Sequence, residues 1–62
     1  MIDLQYFEYK HLPARLKNIS KKFYDLAVDL NDTLEDCPQK TILAQKLLEA
    51  KDCAVRAALV NK

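Results

Sequence analysis

No residue of this 62-residue chain is glycine. Without glycine, most tight β-hairpins, phosphate-cradling loops and dinucleotide-binding fingerprints are excluded together. The chain must turn by other means, and two prolines mark where. Pro13 suits the first turn of a helix, where a missing N–H costs nothing. From there Leu12, Leu16, Ile19, Phe23, Leu26, Leu30 and Leu34 recur at spacings of 4, 3, 4, 3, 4 and 4, one apolar stripe at helical period. The pattern predicts a first helix from about residue 13 to about residue 34. The segment Leu34-Glu-Asp-Cys-Pro-Gln39 interrupts it, because the residue before a proline avoids the α region. Asp36 followed by Gln39 resembles a capping box, and a second helix is expected from about 38 to about 60. So short a connection makes the helices antiparallel neighbours. In residues 1–12, Ile2, Leu4 and Tyr6 alternate with polar neighbours, then Phe7 and Tyr9 do so one step out of phase. This segment reads as an extended arm, with room for a short turn of helix. The expected fold is all-α: an arm over 1–12 and an antiparallel two-helix hairpin over 13–62.

A chain of this length sits near the lower limit for independent folding and usually needs a disulfide, a metal or a partner subunit. Half of its residues are apolar and 31% are charged, which argues against disorder. Cys37 and Cys53 lie sixteen positions apart, roughly 24 Å along a helix, far beyond disulfide reach. His11 has no sulfur or carboxylate partners at ligand spacing, so no metal and no cofactor is expected. Oligomerisation remains. The second helix carries one apolar stripe through Leu43, Leu47, Ala50, Ala54 and Ala57 and another through Ala44, Leu48, Val55 and Leu59, widened by Cys53 and Val60. The first helix can cover only one, and an uncovered apolar face marks an interface, here read as a homo-oligomer contact. The alternative is that the arm folds back over it. With no apolar run long enough for a span and no signal core, the chain is read as cytoplasmic.

Net charge is +1, but its distribution is lopsided. Arg15, Lys17, Lys21 and Lys22 begin the first helix, and Asp25, Asp29, Asp32, Glu35 and Asp36 end it, the reverse of what the helix dipole favours. In a hairpin, Lys51, Arg56 and Lys62 join the same open end, so eight of ten basic residues, Lys10 included, gather there. Tyr6, Phe7, Tyr9 and Tyr24 fall nearby. Cations beside rings suit anionic nucleotides, since rings stack on bases and cations hold phosphate; the alternative is that the charges pair head-to-tail between subunits and the rings are core. Lys17 and Lys21 share a face and could grip phosphate or simply keep that face soluble. Arg56 offers a bidentate fork for phosphate, although the dipole also favours arginine near a helix end. Lys51 with Asp52 reads as an intersubunit ion pair, Thr41 as local capping. Asp25, Asp29 and Asp32 make a solvated acidic face. His11 has no nucleophile at a defensible spacing, and no catalytic residues are expected. The reading is a nucleotide binder that is not an enzyme. The runner-up is a protein-interaction module indifferent to nucleotides. A nearly neutral chain with an acidic end is a poor match for nucleic acid.

Cys37-Pro-Gln-Lys-Thr41, Gln45-Lys-Leu-Leu-Glu-Ala50 and Ala54-Val-Arg-Ala57, with Phe7-Glu-Tyr9 ahead of the first helix, carry a resemblance. From about residue 7 to about residue 59 the chain resembles the helical-hairpin domain of small bacteriophage proteins, shared by the anti-CBASS and anti-Thoeris sponges. The resemblance implies a homo-oligomer, typically a hexamer, in the cytoplasm of an infected bacterium. It would bind cyclic oligonucleotides or cyclic ADP-ribose-type messengers of antiphage signalling without cleaving them. It assigns base stacking to Tyr9 and phosphate contact to Lys21, with Lys17 and Lys22 as the neighbouring choices. Arg56 falls near a second type of site seen in some members. Glu49 stands where those members place a threonine, and Lys51-Asp52 replaces residues expected to be apolar.

Overall fold

The computed structural model describes residues 1–60. A 3₁₀ turn spans Leu4–Phe7, helix α1 spans Ala14–Thr33 and helix α2 spans Pro38–Val60. No strand occurs among the described residues. The molecule measures 39 × 18 × 14 Å, the long axis following the hairpin. The antiparallel arrangement is fixed at the open end, where the Arg15 guanidinium donates to the Ala58 carbonyl.

Helix α1 begins after Pro13, whose backbone is extended and whose carbonyl accepts the Lys17 N–H at 2.7 Å. It ends as Leu34 turns to an extended ψ of 141°. No described residue has a positive φ, so the connection is built without the left-handed residue that commonly closes a helix. Helix α2 starts at Pro38 as expected, but the Asp36 carboxylate does not cap it. The Cys37 carbonyl accepts the N–H groups of Lys40 and Thr41, and the Asp36 carboxylate turns elsewhere, to the Met1 ammonium at 2.6 Å and Lys40 at 3.0 Å. Both neighbours favour the charged form, the ammonium most, and hold Asp36 below the usual aspartate range.

Residues 1–12 are not an extended arm. The Asp3 carboxylate accepts the Gln5 N–H at 3.2 Å and starts the 3₁₀ turn, and a second turn closes through Leu12 N–H to the Tyr9 carbonyl at 3.1 Å. A 3₁₀ helix eclipses residues three apart, so Leu4 and Phe7 share a side, whereas strand alternation would pair Leu4 with Tyr6. Ile2 and Phe7 are 3% and 1% exposed and form the core with Ala27, against Leu4, Phe23, Tyr24, Leu30, Leu43, Ala44, Leu47 and Leu48. The arm is therefore a third core element. Burying a ring like that of Phe7 stabilises by roughly 1.5–3 kcal/mol.

The arm also changes which side of α1 is buried. Ser20 and Ala27, seven residues apart, are the helix's buried positions, while Leu26 of the apolar stripe is 44% exposed. Small side chains on that flank let the arm approach closely. On α2 the arm and α1 together cover Leu43, Ala44, Leu47 and Leu48. Cover by the arm, the alternative raised for this surface, accounts for that stretch. Ile42 and Leu59 stay nearly half exposed, and Ala50, Cys53 and Ala57 are exposed.

Candidate functional site

At the open end, the first half of α1 faces the last half of α2, with the second half of the arm between them. Two neighbouring groups of candidate residues result. The first lies on α1. The Tyr9 and Tyr24 rings meet edge-on, centroids 5.3 Å apart at 63°. Such T-shaped pairs are favoured by the ring quadrupole. Lys21 stands exposed beside them, its ammonium 2.7 Å from Asp25 one turn on. That hydrogen bond, reinforced by the carboxylate's charge and slightly by Tyr9, raises the Lys21 pKa above its usual value. Lys17 lies one turn back on the same face. Lys22 is exposed and roughly 100° further round the helix, so Lys21 and Lys22 cannot grip one phosphate from the same side.

The second group lines a cleft of about 570 Å³ between the arm and α2, where Tyr6 and Glu8 face Lys51, Asp52 and Arg56, with Ser20 of α1 also lining it. The Lys51 ammonium donates to the Tyr6 carbonyl at 2.6 Å, lies 5.7 Å from the Phe7 ring centroid and 3.9 Å from the Asp52 carboxylate. Its side chain is only 15% exposed. Lys51 thus ties the arm to α2 within the chain. Arg56 is exposed, its Nε donating to the Asp52 carbonyl at 3.3 Å one turn back.

Phe7 requires a correction. It cannot offer a stacking face to a ligand, because the 3₁₀ turn drives its ring into the core beneath Lys51. The ring the arm does present is Tyr6, 56% exposed on the cleft wall. Lys62, counted with the open end, lies outside the described residues.

Two residues carry more structural weight than their sequence context suggested. Lys40 is 5% exposed, and its ammonium donates to the Asn31 carbonyl at 3.0 Å, the Leu34 carbonyl at 2.8 Å and Asp36 at 3.0 Å. An ammonium has three protons, and here each has an acceptor. This cation from α2 supplies the positive charge that the acidic end of α1 lacks. Ser20 is the opposite case, 1% exposed with a hydroxyl that has no hydrogen-bond partner. Burying an unpaired hydroxyl costs about 1–3 kcal/mol. A lysine in a first helical turn and a serine inside an apolar stripe were the available signals for the pair.

Among the described residues, no three His, Cys, Asp or Glu side chains gather as a metal ligand set. Cys37 and Cys53 are free and exposed. No helix among the described residues is long and apolar enough to cross a membrane. Comparison with family models, with curated proteins and with solved structures gives no match.

Proposed function

We propose that this chain is a self-associating helical hairpin that binds and sequesters cyclic nucleotide messengers of bacterial antiphage signalling, without cleaving them. The observation that carries the reading is that cations and rings stand together in two places: Lys21 beside Tyr9 and Tyr24 on α1, with Lys17 one turn back, and Arg56 with Tyr6 on the walls of the cleft. The cations would hold phosphate and the rings would stack on bases, worth roughly 1–3 kcal/mol per base. The mechanism is equilibrium capture in the host cytoplasm, with no bond made or broken. The half-exposed Leu26, Ile42 and Leu59 support self-association, and the resemblance to phage sponges makes a hexamer the assembly to look for.

Thermal denaturation with cyclic dinucleotides, cyclic trinucleotides and cyclic ADP-ribose isomers tests the binding. At a hundred times its dissociation constant, a ligand stabilises by about 2.7 kcal/mol, enough to raise the melting temperature by 10 °C or more in a domain this small. A flat response across the whole series refutes the reading. Light scattering at decreasing concentration tests assembly, which a folded monomer at every dilution would exclude. The same exposed apolar residues also favour a second reading, a module that docks on a host protein. One stoichiometric partner, together with indifference to nucleotides, would establish it.

A further inference from the structure

The cleft between the arm and α2 has a charge pattern that narrows its ligand. Its walls carry two cations, Lys51 and Arg56, two carboxylates, Glu8 and Asp52, and the imidazole of His11. Bare phosphate would meet repulsion from the carboxylates as well as attraction from the cations. A fitting ligand must present acceptor oxygens to the cations of α2 and N–H donors to Glu8 of the arm. The exposed Tyr6 ring gives such a ligand a face to stack on, and the volume of about 570 Å³ lies within the range of small-molecule sites. The Glu8 carboxylate has no hydrogen-bond or ion-pair partner among the described residues, so its oxygens are free to accept. The buried Ser20 hydroxyl adds a donor without an acceptor.

Resting on the nucleotide reading above, we propose that this cleft takes a guanine nucleotide unit, with the base edge on Glu8 and the phosphate on Arg56. Guanine alone among the common bases presents two adjacent N–H donors, N1–H and the 2-amino group, spaced to meet both oxygens of one carboxylate. Adenine would turn its N1 lone pair toward a carboxylate oxygen. Uracil and hypoxanthine offer a single ring N–H beside a carbonyl. Arg56, on the opposite wall, supplies the charged fork that phosphate oxygens accept from.

Isothermal titration of the full chain with guanosine and inosine monophosphates isolates the proposed contact, because the two differ only in the 2-amino group. Guanosine monophosphate is expected to bind at least about tenfold tighter, the worth of one hydrogen bond to a charged acceptor. Glu8→Gln should erase that preference, since its amide N–H₂ faces a donor, and Arg56→Ala should weaken both ligands by a similar factor. Equal affinity for the two nucleotides, or a preference that survives in Glu8→Gln, overturns the proposal. Cyclic nucleotides that stabilise wild type, Glu8→Gln and Arg56→Ala equally would overturn it too, while leaving sequestration elsewhere on the molecule intact. A chain that answers to no cyclic nucleotide and no mononucleotide removes both.

Discussion

Among the described residues two polar side chains are buried, one toward each end of the hairpin, and they are treated oppositely. Lys40, at the loop end, spends all three ammonium protons on acceptors of its own chain. Ser20, toward the open end, has a hydroxyl with no partner. Their surroundings follow suit. Near Lys40 the acid Asp36 is paired twice and the chain closes its turn. Near Ser20, among the described residues, the carboxylate of Glu8 is unpaired and Arg56 meets a backbone carbonyl. Charge at the loop end builds the fold. At the open end Arg15 and Lys51 also serve the fold, but among the described residues Glu8 keeps a carboxylate that the fold does not use and Arg56 is exposed beside it on the cleft, which is where a ligand would bind.

The arm couples the two ends, so the largest effect should come from cutting it. Phe7→Ala removes a fully buried ring from a core with few large side chains, a loss of about 3–5 kcal/mol. Circular dichroism should show a melting temperature lowered by tens of degrees, or no cooperative transition at all. A Phe7→Ala protein that melts like wild type would mean the arm is not part of the core. The next change separates the ends directly. Lys40→Met keeps the stem but strands two backbone carbonyls and an acid, and should cost about 1–3 kcal/mol. Ser20→Ala should act with opposite sign, raising stability by about 1 kcal/mol because it deletes an unpaired hydroxyl. Urea titrations of the two variants place them on opposite sides of wild type. Destabilisation by Ser20→Ala would show that its hydroxyl is paired in solution, and the contrast between the ends would collapse.

What could be read from the residues was whatever obeys a simple period. Helix Ala14–Thr33 starts and stops within one residue of the positions that Pro13 and the leucine stripe mark, and the second helix starts at Pro38. The antiparallel pairing follows from so short a connection. The arm escaped because Ile2, Leu4 and Tyr6 alternate like a strand over too few residues to distinguish period two from period three. That one ambiguity left Phe7 among the candidate stacking rings, whereas the fold buries it in the core. Ser20 and Lys40 escaped for a related reason: an apolar stripe is found by counting apolar residues, which passes over a serine or a lysine on the inward face. Of the candidate site, Tyr9, Lys17, Lys21 and Arg56 remain on or near the surface, because exposed cations and half-buried rings need only the right end of the right helix. The cleft itself, formed by an arm folding back, had no sequence signature.

The smallest expected effect comes from the titration of Asp36, and it probes the loop end through pH. The Met1 ammonium and Lys40 hold the folded-state pKa of Asp36 below its ordinary value. The unfolded chain therefore takes up a proton before the folded one does. Stability from Asp36 is present in full above the ordinary aspartate range and is lost as pH falls through the lower folded value. Asp36 is 67% exposed, so salt should weaken the effect. Urea midpoints of wild type and Asp36→Asn should differ near neutrality and converge as the solution is acidified below the aspartate range. Convergence should leave wild type still folded, because the other two acceptors of Lys40 are the backbone carbonyls of Asn31 and Leu34, which do not titrate. A difference between the two proteins that stays constant with pH would show that Asp36 does not anchor Lys40 through its charge. The closure of the loop end would then rest on those two carbonyls alone.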